Sequence, residues 1–415
     1  MKKIFTILFG LLVALSLSAQ SPSELEQRIS ALENSNVVLS KLKVSGYIQG
    51  QYQWGQRDAS LKVGTNNENP DESFSRIGIR RGRIKFTYDA TELVSGVFQL
   101  DITERGVGFR EAYFNIKVPR YNTLQLRAGV FLRPFGHEPT FSSSNRESPE
   151  RSSIVQTLFP DVHDLGAMVT LQPFKDKMWN TLKLEAGLFA GNGIKPETDN
   201  RRDFVGHLSY VRPIGSISFG AGASYYNGSV FQGTTKVFTM NGNGFVENNK
   251  EGNNGSYAKR EYLGFDLQFS TLTVAGMTQL RAEHISGMQP GSVSSSRSPN
   301  SDVRPNYHTF ISSFSGWYAI LIQDFGTTPF SAVLKYDTYD PNTKVGGNRI
   351  GNSDFTGKPD LAQYTMGYGL MWKINQVLRL NVFYENVRNE TSAGVEGYET
   401  VRKADNFTFR IQYKF

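Results

Sequence analysis

From Lys43 to the end of the chain, apolar and polar residues alternate with a period of two. The last segment shows it plainly: Phe407, Phe409, Ile411, Tyr413 and Phe415 share one face, and Thr408, Arg410, Gln412 and Lys414 share the other. The same rhythm sets Leu182, Leu184, Ala186 and Leu188 against Lys183, Glu185 and Gly187. It recurs with Leu124, Leu126, Ala128 and Val130 against Gln125, Arg127 and Gly129. Marking every such run yields about sixteen strands, the even number that an up-and-down antiparallel barrel needs to close. Their connections alternate in length. Tight turns are expected near 89–92, 213–216, 270–271, 325–328 and 375–376, with others at 119–122 and 175–178. Long stretches rich in Gly, Asn, Ser and Pro run near 57–73, 133–163, 190–201, 228–258, 287–307, 340–360 and 389–404. The pattern predicts an all-β fold, a 16-stranded antiparallel transmembrane β-barrel over 43–415, with short turns at one mouth and long loops at the other.

Two segments precede the barrel. Residues 1–20 read as a secretory signal: Lys2 and Lys3, an apolar run over 4–17, then Ser18, Ala19 and Gln20 around a cleavage point. Residues 21–42 read as a helix with a Ser23/Glu26 capping box. Leu25, Ile29, Leu32, Asn36 and Leu39 follow the four-three spacing of a short coiled-coil seam. Its two heptads predict a periplasmic self-association helix, with Asn36 setting register.

Composition narrows the function. No apolar run after the leader reaches the ~20 residues of a membrane-spanning helix. Yet the chain carries 29 Phe, 19 Tyr and 40 Gly. A barrel wall reconciles the two, because only alternate residues need to be apolar. With Cys at 0, disulfides and thiolate chemistry are excluded. The net charge of +7 is spread along the chain, without the clustered basic stripe of a nucleic-acid binder. The His residues, at 137, 163, 207, 284 and 308, fall in no metal-binding or hydrolytic spacing. No cofactor and no metal are expected.

If Leu, Val and Phe face lipid, the opposite parity lines a water-filled lumen. That set is basic: Arg81, Arg83, Lys85, Lys117, Arg127, Arg133, Lys183, Arg281, Lys335, Lys373, Arg379, Arg410 and Lys414, against Asp101, Glu111, Glu185, Glu283, Asp337 and Glu385. Arg and Lys rings inside low-dielectric walls favour anions. Arg81, Arg83 and Lys85 share one strand face at ~7 Å spacing, suited to passing an oxyanion along, although pairing with Asp101 or Glu111 would occupy them equally well. The long segment 133–163 starts from the long-loop side. Folded inward it would narrow the pore and offer Arg133, Arg146, Arg151 and the serines at 142–144, in company with Glu138, Glu147, Glu150, Asp161 and Asp164.

The heptad helix, the strand RRGRIKF at 80–86, the stretch AGVFLRPFGHE at 128–138 and the terminal YKF together resemble the phosphate-selective porin O and P family, especially its Bacteroidetes-like branch. The resemblance implies an outer-membrane homotrimer in a Gram-negative bacterium, each barrel with its own channel conducting inorganic anions such as phosphate past Arg and Lys. Onto this chain it carries Arg81, Arg83, Lys85 and Arg133. Both termini are expected in the periplasm, and lipid surrounds the wall. Three rival readings remain: a general or saccharide-selective porin using Tyr113 and Phe131 as an aromatic slide, an outer-membrane phospholipase-type hydrolase using a His with a Ser at the lipid-facing rim, and an adhesin built on loops 228–258 and 340–360.

Overall fold

The computed structural model describes residues 26–28, 30, 39–69, 71–119, 123–172 and 181–415. The expected signal at 1–20 and most of the expected seam helix lie outside them, as do the turn at 175–178 and all but the first residue of the turn at 119–122. Residues 26–28, 30, 39 and 40 are helical, and the first strand starts at Leu42, one residue earlier than the alternation indicates.

Among the described residues eighteen strands follow in order. They are β1 (Leu42–Gly55), β2 (Phe74–Asp89), β3 (Val94–Thr103), β4 (Gly106–Lys117), β5 (Leu124–Leu132), β6 (His163–Leu171), β7 (Leu182–Phe189), β8 (Asp203–Ile214) and β9 (Ile217–Phe231). Then come β10 (Lys236–Asn241), β11 (Gly244–Asn249), β12 (Tyr257–Thr273), β13 (Gly276–Gly291), β14 (Thr309–Asp324), β15 (Phe330–Asp340), β16 (Gln363–Lys373), β17 (Leu378–Asn389) and β18 (Asn406–Lys414). Sixteen of them form a closed antiparallel wall. The other two, β10 and β11, make a hairpin inside the long loop after β9; β10 pairs parallel with the start of β14, Phe238 opposite Phe310. This hairpin is absent from the sequence expectation, because a local pair of short strands has no lipid face to impose a readable pattern. The turn expected at 270–271 lies instead after Thr273: Leu272 and Thr273 continue the strand, and Gly276, at φ 113°, closes the connection in a conformation that side chains disfavour.

The wall closes where β18 pairs with β1, Tyr47 opposite Lys414. Gly46 N donates to Phe415 O at 2.9 Å and Phe415 N to Gly46 O at 3.0 Å, with the Phe415 ring lying where a Cβ on residue 46 would stand. The absent side chain at 46 thus gives the terminal aromatic its seat.

Outward positions are apolar and half exposed, among them Leu184, Leu208, Phe265, Leu370, Phe409 and Ile411. Aromatic pairs border this band: Phe330 with Trp372 and Tyr413 beside Phe415 at the short-turn rim, and Trp317 with Tyr336 further up. Inside, the loop 133–162 folds into the barrel. Its one short helix, α1 (Ser153–Leu158), places Ile154, Val155 and Leu158 against a buried cluster that includes Phe131, Phe189, Tyr226, Tyr262 and Phe314 of the wall. Wall glycines make room: a Cβ at Gly264 would sit 2.9 Å from the Phe135 ring, and one at Gly316 2.7 Å from the Ile154 methyl. One side of the lumen is therefore packed like a core, leaving cavities beside it.

Candidate functional site

The lumen is divided by the inward loop into a cavity toward the long-loop mouth and another toward the short-turn mouth. The upper cavity, about 260 Å³, is shaped by two β-bulges. On β2 the register with β1 jumps from Gln49–Arg81 to Gly50–Ile79, so Arg80 is the extra residue. On β4 the register with β3 jumps from Gln99–Glu111 to Leu100–Phe109, so Arg110 is the extra residue. A bulge breaks the strict alternation and re-aims a side chain. Both inserted residues are arginines, and both line the cavity beside Arg81 and Arg83. Lys62 and Arg297 reach it from two long loops, and Arg151 from the inward loop, against Asp101, Glu150 and Asp161.

Glu150 is the hub. Arg80 donates to its carboxylate at 2.8 and 2.9 Å, Arg81 at 2.9 Å and Arg410 at 3.1 Å. Lys335 donates to its carbonyl at 3.2 Å. Burial alone would push this carboxyl up, but Arg80, Arg81 and Arg410 outweigh it and hold Glu150 well below the usual carboxylate range. The rest of the loop is tied to the wall by matching bonds: Gln49 to the Ser143 carbonyl at 3.0 Å, Asn381 to the Glu147 carbonyl at 2.8 Å, Arg281 to the Glu147 carboxylate at 2.6 Å, and Ser153 to Asp337 at 2.6 Å. Gly136, at φ 60°, donates to Ser224 Oγ at 2.8 Å and lies so close to Glu283 that a Cβ would collide with its carboxylate.

The sequence-derived candidates divide among several environments. Arg81 and Arg410 are buried in the Glu150 cradle, where Arg410 also donates to the Pro149 carbonyl at 2.9 Å. Arg83 lies 3.6 Å from Asp101, and Lys85 pairs with Glu111 at 3.1 Å. Arg379 donates to the Arg146 carbonyl at 3.1 Å. Arg151 is engaged by carbonyls of its own loop, those of Glu138 and Pro139 at 3.1 Å. Arg146 is different: its guanidinium is buried, and none of its three nitrogens has a hydrogen-bond partner among the described residues. Arg133 is drawn away from both cavities. It pairs with Asp164 at 3.4 Å, bonds the Asp161 carbonyl and lies over the Phe159 ring, so its burial ties down the root of the loop.

Arg127 and Lys183 face the lower cavity, about 430 Å³, with Glu185, His207 and Asp266. Lys183 pairs with Glu185 at 2.8 Å. Burial, with Arg281 nearby, pushes the His137 imidazole at this cavity's ceiling down to about 4, leaving it uncharged at neutral pH. Arg127 lies 4.7 Å from the Tyr113 centroid and 5.4 Å from that of Phe131. Phe131 is fully buried, so the expected aromatic slide has lost that face to the core and to a guanidinium. On the outer wall His284 Nε2 does lie 3.1 Å from Ser315 Oγ. Among the described residues nothing orients its other nitrogen, and the backbone on both sides is taken up by strand pairing, so the pair has no oxyanion cradle. No group of three or more metal-ligating side chains occurs among the described residues.

Sequence reasoning missed Arg80, Arg110, Lys62 and Arg297, and saw Glu150 only as a diluting charge. The detectable signal was the doublet of adjacent charges, Arg80-Arg81 and Arg110-Glu111, inside otherwise alternating strands. Strict alternation would push one member of each into lipid.

Comparison with known proteins places this geometry. The profile of the family described as phosphate-selective porin O and P matches residues 47–269, more than half of the chain. No curated protein matches it significantly. Among solved structures, OprB of Pseudomonas putida superposes with a TM-score of 0.58 at 12% identity, covering 92% of this chain and 96% of its own. The outer membrane channel DcaP of Acinetobacter baumannii gives 0.53 at 12% identity, covering 90% and 97%. OmpT, an outer membrane protein of Vibrio cholerae in its trimer form, gives 0.51 at 10% identity, covering 90% and 99%. At such identities these likenesses speak to the fold.

Proposed function

Because the chain belongs to the phosphate-selective porin O and P family, an outer-membrane porin by fold and family, we propose that it passes small inorganic oxyanions, phosphate among them, through the basic lumen. The observation that carries this reading is the pair of bulges that add Arg80 and Arg110 to Arg81 and Arg83 around one cavity. A cavity walled by several guanidiniums, in low dielectric and open to water, concentrates anions and repels cations. Planar guanidinium groups favour tetrahedral oxyanions over spherical halides, because they offer parallel N–H donors.

In this proposal the loop 133–163 is the constriction. Arg81 and Arg83 guide the anion above it, Arg410 backs the Glu150 cradle and Lys85 stands further along β2 beside Glu111. Arg146 and Arg151 lie within the loop, and Arg127 and Lys183 receive the anion below. Arg379 steadies the Arg146 segment, and Arg133 anchors the loop. The long-loop mouth faces outward and both termini face the periplasm, as expected of a chain exported by a cleaved 1–20 leader. The heptad helix would join three copies, the assembly in which the structurally similar OmpT is described.

Reversal potentials in a potassium chloride gradient test the proposal. Wild-type protein in planar bilayers is expected to prefer anions, with current reduced by added phosphate. The triple variant R81A/R83A/K85A is expected to lose most of that preference. Cation preference in the wild type would overturn the reading.

A further inference from the structure

Two oddities sit four residues apart in the inward loop. Glu150, an anion, occupies a cluster of three guanidiniums, and Arg146, a cation, is buried with three nitrogens unpaired among the described residues. We propose that Glu150 is a tethered competitor for the transported oxyanion: its carboxylate fills the Arg80–Arg81–Arg410 cradle between passages, moves to Arg146 when an oxyanion enters, and by returning drives that oxyanion out. The inference rests on the anion-porin reading above.

Geometry supports both seats. In the cradle, each carboxylate oxygen takes two charge-assisted bonds: Oε1 from Arg80 Nε at 2.8 Å and Arg410 at 3.1 Å, Oε2 from Arg80 and Arg81, both at 2.9 Å. This is the fork-to-oxygen pattern by which guanidiniums hold phosphate. Glu150 is also one of the residues lining the upper cavity, so a solute arriving there comes up against its cradle. At the second seat, burial pushes the Arg146 guanidinium down, and the charge that most opposes this is that of Glu150. An orphaned guanidinium this deeply buried calls for an anionic partner. The displaced carboxylate supplies one, so with an oxyanion in the cradle both guanidinium sites are matched by an anion, whereas with Glu150 seated there Arg146 waits unpaired among the described residues.

The need for such a device follows from the number of arginines. A channel site must bind well enough to admit its ion and weakly enough to release it. Three converging guanidiniums in low dielectric would hold an oxyanion too long. A carboxylate of fixed high local concentration lowers the apparent affinity without removing the positive field that attracts anions. It also sets a threshold: an entering anion must replace four directional hydrogen bonds, which a multivalent oxyanion with several acceptor oxygens does and chloride does not.

The test uses full-length protein in planar bilayers with inorganic phosphate as the probe against chloride current. In Glu150→Gln the half-blocking phosphate concentration is expected to fall by about tenfold or more, the change expected when a competitor held by charge-assisted hydrogen bonds is removed. Chloride current should rise and phosphate current fall. Arg146→Gln, which removes the second seat, should raise the half-blocking concentration. Should Glu150→Gln fail to insert as a barrel, Glu150→Asp keeps the charge but shortens the reach, and should move the half-block in the same direction by less. A half-block that stays put or rises in the Glu150 variants, with wild-type anion preference intact, overturns this inference alone. Cation preference in the wild type overturns the anion reading itself.

Discussion

At the residue scale, the feature that organises the lumen is the single carboxylate of Glu150. Its ionisation in the folded chain is favoured by Arg80, Arg81 and Arg410 over the burial that opposes it. The sign of the pH effect follows. A carboxyl depressed in the folded state stabilises the seated loop fully above its unfolded value, ~4.3, and that stabilisation fades only as pH falls through the lower folded value. Single-channel conductance is therefore expected to show no loop-related step between pH 7 and pH 5, and any such step should appear below ~4. Glu150→Gln should abolish the step. A wild-type step near pH 6 would place control of the loop in another group. The same scale shows what the chain conceals. Arg81, Arg83 and Lys85 are legible as lumen residues because each shares parity with its neighbours. Arg80 and Arg110 are not, because a two-residue period assigns each to the lipid face until the bulge is known. Only energetics hints at it: a cation facing lipid at the bilayer midplane costs ~2–4 kcal/mol, so adjacent charges in a wall strand call for an extra residue in the ladder.

At the scale of elements, the wall strands are readable wherever one face meets lipid and the other water. β18 and β7 carry that contrast cleanly, whereas β14 sets Trp317, Ala319 and Leu321 outward against Tyr318, Ile320 and Ile322 inward, apolar on both sides. The inward apolar residues pack with Val333 and Phe383, a local core that no alternation rule foresees. The inward loop was visible by its length and its arginines, but not its fold: α1 is one and a half turns, too short to show a helical period. What holds it is burial of Ile154, Val155 and Leu158 in an aromatic cluster drawn from five or more strands. Leu158→Ala removes packing worth ~2–5 kcal/mol at such a site. The loop rather than the wall should respond, giving noisier open-channel current and larger mean conductance, while the barrel keeps its resistance to cold detergent. A variant as quiet as the wild type would mean the polar ties from Gln49, Asn381 and Arg281 suffice to seat the loop.

At the scale of the whole molecule, one alternation serves two solvents, and adjacent residues on β8 separate them. Leu208 points outward with nearly half its surface exposed, whereas Ser209 lines the lower cavity. An arginine at 208 must enter hydrocarbon; one at 209 enters water beside Lys183 and Glu185. Reversible unfolding into lipid vesicles should therefore show Leu208→Arg destabilised by up to ~2–4 kcal/mol, the range for a cation on the lipid face. Ser209→Arg should leave stability within the small range of a solvated surface change, under ~0.5 kcal/mol. The electrical readout should invert the order: Ser209→Arg adds a cation to the lower cavity and shifts the reversal potential further toward anions, whereas Leu208→Arg leaves it where it was. Equal destabilisation at both positions would mean that the two faces of β8 meet the same medium, which the barrel does not allow.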